Sequence, residues 1–296
     1  MAGKTVSERA FEEYLSRHGL VARYEELPAG ITMPCDYSLD LGGKTIRFDV
    51  KEWESQPPTS GYFDPYAPIR QKIQAGKKKF KQYKGRGEPC VLVLCHFGRQ
   101  LILLDPLAIF GAMCGDFGWV IPCDTAHGVA DTNRAERAFL EGGRMVHHAP
   151  DGSVRLRNTS ISAIAVLGSL DIRSRRLRIE YRRRKLAAGR PMSIEEGLAI
   201  CEELDQQLEP RDPEVRLAVY DNPVPPAVPL PEQFPSGPYD ERYGWDGVRF
   251  LRTYVGAGLA SIECEEDGEG IVREDPLGLR AQPQDDAEQA FGGQVK

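Results

Sequence analysis

Pro34-Cys35-Asp36-Tyr37-Ser38-Leu39-Asp40-Leu41, then Gly42-Gly43, then Lys44-Thr45-Ile46-Arg47-Phe48-Asp49-Val50-Lys51-Glu52 is the stretch on which the fold turns. Gly-Gly between two alternating runs is a two-residue hairpin signal. With these glycines as the turn, Leu41 faces Lys44, and counting back sets Asp36 opposite Asp49. Directly paired residues share one face of a sheet, with Cβ atoms about 4.5–5.5 Å apart. Lys51 lies two residues further on and joins that face. The opposite face carries Cys35, Tyr37, Leu39, Leu41, Ile46, Phe48 and Val50, a good core side. Two carboxylates directly across from each other repel, and a divalent metal is the simplest group that would hold them together.

On the N-terminal side a helix is expected from Ser7 to His18, capped by Thr5 or Ser7 and stopped at Gly19. Its apolar stripe is Phe11, Tyr14 and Leu15, and Glu8 and Glu12 share one face four residues apart. Val21 to Glu26 reads as a short edge strand. On the C-terminal side, residues 56–68 read as a loop and Ile69 to Tyr83 as a second helix with Ile69, Ile73 and Phe80 buried. Cys90 to Cys95 is a continuous apolar run, as in a strand buried on both faces. Leu101 to Asp105 reads as a further strand. The order is that of an α/β layer with a mixed central sheet flanked by helices.

Beyond Phe117 the pattern weakens. Asn133 to Leu140 and Ile172 to Ala188 read as helical, and Ile161 to Leu170 has only weak patterning. Ser193 to Leu208 is a clear helix opened by a capping box of Ser193 and Glu196. Val215 to Tyr220 reads as a strand, 222–238 as a proline-rich extended segment, and 249–263 as one more small element. Three segments are therefore expected: a core at 1–118, a mostly helical accessory region at 119–263, and a disordered acidic tail at 264–296.

The net charge of −6 belongs to that tail. Of 44 acidic and 38 basic residues, ten and three lie beyond Ile262, which leaves 34 and 35 in the body. A near-neutral body with local basic patches is compatible with nucleic-acid binding. Seven cysteines at irregular spacings fit reduced thiols rather than a disulfide framework. Cys35, Cys90 and Cys95 read as core, and the spacing of Cys114, Cys123 and His127 matches no standard zinc pattern. The first residues lack an apolar signal core and no apolar run approaches membrane-span length, so the expected compartment is the cytoplasm, with no membrane association.

Phosphodiester hydrolysis needs a metal against the phosphate, an activated water and stabilisation of developing negative charge. Carboxylates suit magnesium, and a lysine suits the charge-stabilising or water-positioning role. Asp36, Asp49 and Lys51 form such a set. Gln71 to Arg86 holds seven Lys/Arg and no acid, with Phe80 and Tyr83 interleaved, and suits phosphate contacts through Arg70, Lys72, Lys78 and Lys79. Plainer readings stand beside these. Asp49 and Lys51 would fit a solvated strand face, Glu8 a capping box with Thr5, Glu12 an exposed helix position, and the basic run a solvated helix face. Arg173 to Arg190, with nine basic residues, fits a second DNA-contacting helix or a partner for the acidic tail. His147-His148 reads as a surface pair.

Met33-Pro34-Cys35-Asp36, thirteen residues more to Asp49, and then Val50-Lys51 resembles the PD-(D/E)xK, or restriction-endonuclease-like, nuclease superfamily, in an uncharacterised bacterial branch. The family's proline and aspartate are normally adjacent; here Cys35 separates them. The run Ser7 to Leu15 is similar to the first helix of archaeal Holliday-junction resolvases and of bacterial members, and 68–94 is similar to those bacterial members. The resemblance covers residues 5–115. It implies a core of helix, three-stranded meander, helix and strand, and a Mg²⁺- or Mn²⁺-dependent endonuclease acting on DNA. Asp36 and Asp49 would be metal ligands, Glu12 or Glu8 would add a helix carboxylate, and Lys51 would be the catalytic lysine. It further implies a homodimer, and a setting in restriction, repair or phage defence with a partner protein. The rival expectation is a catalytically inactive nucleic-acid-binding or scaffold subunit of a larger complex.

Overall fold

The computed structural model describes residues 3–52, 66–83, 85–96, 106–115, 117–120, 123–124, 129–130, 136–139, 142–148, 154–190, 192–207, 213–222, 228–245 and 250–254. In chain order the elements are α1 (Val6–Arg17), β1 (Ala22–Tyr24), β2 (Tyr37–Leu41), β3 (Lys44–Glu52), α2 (Ala67–Phe80), β4 (Cys90–His96) and α3 (Pro106–Cys114). Six short strands follow: β5 (Phe117–Val120), β6 (Cys123–Asp124), β7 (Val129–Ala130), β8 (Glu136–Phe139), β9 (Val146–His148) and β10 (Val154–Leu156). The chain then forms β11 (Ala163–Leu170), α4 (Ile172–Ala187), α5 (Ile194–Gln207), β12 (Glu214–Asp221), β13 (Glu241–Trp245) and β14 (Phe250–Tyr254). The expected strand at 101–105, the loop at 56–65 and the acidic tail lie outside the described residues.

The hairpin has the register its sequence dictates. Leu41 pairs with Lys44 and Tyr37 with Phe48, while Gly42 and Gly43 adopt φ of 58° and 74°, the left-handed pair that a tight hairpin turn demands. The chain then crosses through α2 into β4, which lies parallel to β3 with Asp49 beside Leu92. β4 is buried along its whole length, as its unbroken apolar run requires.

One mixed eight-stranded sheet, ordered β1-β2-β3-β4-β11-β12-β13-β14, organises the molecule. β11 lies parallel to β4 and antiparallel to β12. The sheet therefore continues past position 118, and the C-terminal half is not mostly helical: it supplies four of these strands. The weak pattern of 161–170 has a physical reason. β11 is an interior strand covered on both faces, so Ile164 enters one core while Ala163, Ala165 and Leu167 enter the other, and no polar alternation survives. Asn133 to Leu140, expected as helix, instead contains β8, which pairs antiparallel with β5. Strand pairing there overrides the helical propensity of Glu-Arg-Ala.

Two cores cover the two sheet faces. Phe11, Tyr14 and Leu15 of α1 pack on Tyr37, Phe48, Val91 and Val93. Ile69, Ile73 and Phe80 of α2, with Ile109 and Met113 of α3, pack on Leu92 and Leu94 of the other face. The proline-rich segment is part of the first core. Leu230 and Phe234 are buried in it, and the Phe234 ring lies 5.4 Å from that of Phe48. Tyr14 donates to Asp240, which also accepts the backbone N–H groups of Leu217 at 2.7 Å and Gly237 at 2.6 Å. Among the described residues no helix is long and apolar enough to cross a membrane.

Candidate active site: an aspartate pair bridged by Lys79

Alternation along β3 sends Ile46, Phe48 and Val50 into the α1 core, and hence Arg47, Asp49 and Lys51 to the α2 face. Asp36 immediately precedes β2, one step beyond the Tyr37–Phe48 pair, which sets it across from Asp49 as the register count requires. Its Oδ2 accepts the Val50 backbone N–H at 2.7 Å, so the side chain extends the ladder where regular pairing stops. Both carboxylates are buried, Asp49 to 1 % exposure.

The group between them is Lys79. Its Nζ donates to Asp36 Oδ1 at 2.7 Å and to Asp49 Oδ1 at 2.5 Å. Lys51 donates to the same Asp49 Oδ1 at 2.9 Å. Asp49 Oδ2 is buried and has no hydrogen-bond partner among the described residues. One carboxylate oxygen thus receives two ammonium groups while its twin receives none. Burial, then the Asp49 charge, pushes the Asp36 carboxyl above its usual range, against the pull of Lys79. Burial works against the Lys79 ammonium, but the Asp49 and Asp36 charges outweigh it and raise the amine.

Helix α2 can come this close because of Gly76. A Cβ there would lie 3.3 Å from Leu92 Cδ1 and 3.7 Å from Asp49 Oδ2. Lys79 stands three residues after Gly76 on the same helix side. That spacing, a glycine and a lysine one turn apart beside the buried Ile73 and Phe80, is the signal in the sequence that marks Lys79 as part of the site.

Asp36, Asp49 and Lys51 are brought together; the helix carboxylates are not. α1 covers the opposite sheet face. Glu8 closes the capping box, accepting the Thr5 N–H at 2.6 Å while Thr5 Oγ1 accepts the Glu8 N–H. Glu12 is paired with Lys4 at 2.7 Å. Among the described residues no group of three His, Cys, Asp or Glu side chains converges as a metal site, so neither Glu8 nor Glu12 completes the aspartate pair. Arg70 is also displaced from its expected role. It is buried, donates to the Gly111 carbonyl at 3.1 Å and lies over the Tyr66 ring, tying α2 to α3. Lys78 is exposed and Lys72 partly so, as phosphate contacts require. Arg47, on the same sheet face, is paired with Glu88 at 2.7 Å and Glu26 at 3.0 Å.

Two buried carboxylates whose oxygens meet at one cationic point fit a divalent ion. Magnesium is commonly held by one or two carboxylates and keeps several waters, and Asp49 Oδ2 adds an acceptor with no partner. Compared with family models, curated proteins and solved structures, the chain gives no match.

Proposed function

We propose that this protein is a metal-dependent nuclease of DNA, built on a restriction-endonuclease-like core. The observation that carries this reading is the meeting of Asp36 and Asp49 at a single cationic point on the buried sheet face, with Lys51 alongside. The element order of helix, three antiparallel strands, helix and parallel strand supports it. Asp36 and Asp49 would hold Mg²⁺ or Mn²⁺. When bound, the ion supplies a polarised water and positive charge at a phosphate oxygen. Lys51 is 28 % exposed, so its ammonium can turn from Asp49 to a substrate phosphate or to the attacking water. Lys72 and Lys78 hold the DNA backbone from the solvent side of α2. The fixed Val50 N–H keeps Asp36 oriented while its other oxygen binds.

A non-catalytic nucleic-acid-binding subunit is the second reading. It is favoured by one observation: Lys79 and Lys51 together already balance the aspartate charges. Thermal melting with and without Mg²⁺ or Mn²⁺, paired with plasmid cleavage, separates the two. The nuclease gains melting temperature with metal, as any ligand of the native state confers, and cuts DNA; Asp49→Asn loses both. Intact plasmid and an unshifted melt with either metal reject the nuclease.

A further inference from the structure

We infer that Lys79 is a resident cation of the aspartate pair, and that a divalent ion binds only by displacing it, which frees the Lys79 ammonium for a DNA phosphate. This rests on the reading of Asp36 and Asp49 as metal ligands and adds a positioning residue to it. Lys79 Nζ is within 2.7 Å of one oxygen from each aspartate, so ammonium and metal compete for the same two oxygens. Lys51 does not play this part, since of the two aspartates it hydrogen-bonds Asp49 and does not bridge to Asp36. Lys79 is also free to leave. Its side chain is 25 % exposed, and it follows the exposed Lys78.

Two consequences follow. The metal-free protein keeps two like charges together at a buried position without an ion, which explains how the hairpin closes despite their repulsion. Metal and DNA binding become coupled, because the released ammonium gains a phosphate partner in place of the carboxylates, and such coupling is reciprocal.

The test is calorimetric titration of Mn²⁺ into the wild-type protein, Lys79→Met, Lys79→Gln and Lys79→Arg, with each variant also melted in EDTA and in Mn²⁺. Lys79→Met and Lys79→Gln are expected to bind Mn²⁺ at least tenfold more tightly than wild type. They should melt lower in EDTA and recover with Mn²⁺, while Lys79→Arg, which keeps the charge, stays within about threefold of wild type, an order-of-magnitude expectation for retained charge pairing. Unchanged or weaker Mn²⁺ binding in the neutral variants, with wild type binding normally, overturns the displacement and leaves the metal site standing. Absence of Mn²⁺ binding in wild type and all variants overturns the metal site itself, and the displacement with it. The neutral variants differ in shape, so failure of one to fold leaves the other to decide.

Discussion

Lys79 and Asp49 stand thirty residues apart in the chain and meet at 2.5 Å. One comes from the solvent-facing basic run of α2, the other from the interior of β3. With Lys51, their contact turns a pair of repelling carboxylates into a neutralised cluster, and it identifies which of the six lysines in the basic run belongs to the site.

Lys51→Ala is expected to lower DNA cleavage by about 10²–10³, the usual cost of losing one group that stabilises transition-state charge. Stability should change by about 1 kcal/mol or less, as for a partly exposed ion pair, since Lys79 still holds Asp49. Plasmid nicking in Mn²⁺ and a thermal melt check the two halves, and undiminished cleavage removes Lys51 from the catalytic set.

The basic residues of α2 should separate by burial. Lys72→Ala and Lys78→Ala are expected to weaken DNA binding uniformly across sequences, each reducing the slope of log affinity on log salt by about 1, with no loss of stability. Arg70→Ala should instead destabilise the fold by about 1–3 kcal/mol, because it removes a buried charge-assisted hydrogen bond that ties α2 to α3. Fluorescence anisotropy over a salt series and urea unfolding give the comparison.

Tyr14→Phe is expected to cost about 1–3 kcal/mol, leaving the buried Asp240 carboxylate short of one donor. The loss measures how far the C-terminal segment holds the N-terminal helix, since the bond spans 226 positions. Equilibrium urea unfolding should lose midpoint without a change of slope.

Acid should loosen the sheet edge. Arg23, and then Thr45, hold the Asp40 carboxyl down at about 2, below its ordinary 3.8. A carboxyl with a depressed folded-state pKa stabilises above the unfolded value. That contribution is complete above about pH 4 and is lost as pH falls from there through about 2. The pair is solvent-exposed, so the amount is about 1 kcal/mol or less. The protection of β1 amides against hydrogen exchange, relative to intrinsic rates, should fall in the wild type between pH 4 and 2, and Asp40→Asn should remove that fall.

Local chemistry made the hairpin legible. Two glycines, both at positive φ, and alternation on either side leave one register, and a slip by one residue would turn every core side chain to solvent. The same kind of short-range signal marked α1 by its capping box, α5 by Ser193 and Glu196, and β4 by its apolar run. The sequence by itself therefore determined the α/β class and the pairing of Asp36 with Asp49. Tertiary structure alone decided which partners those residues take. Lys79 reaches the aspartates because α2 crosses over the sheet at Gly76; Glu8 and Glu12 do not, because α1 packs on the opposite face. β11 joins β4 across 66 intervening residues, and Phe234 fills a core begun by Phe48. Such contacts depend on how faces stack in three dimensions, and no local spacing encodes which distant segment will cover them.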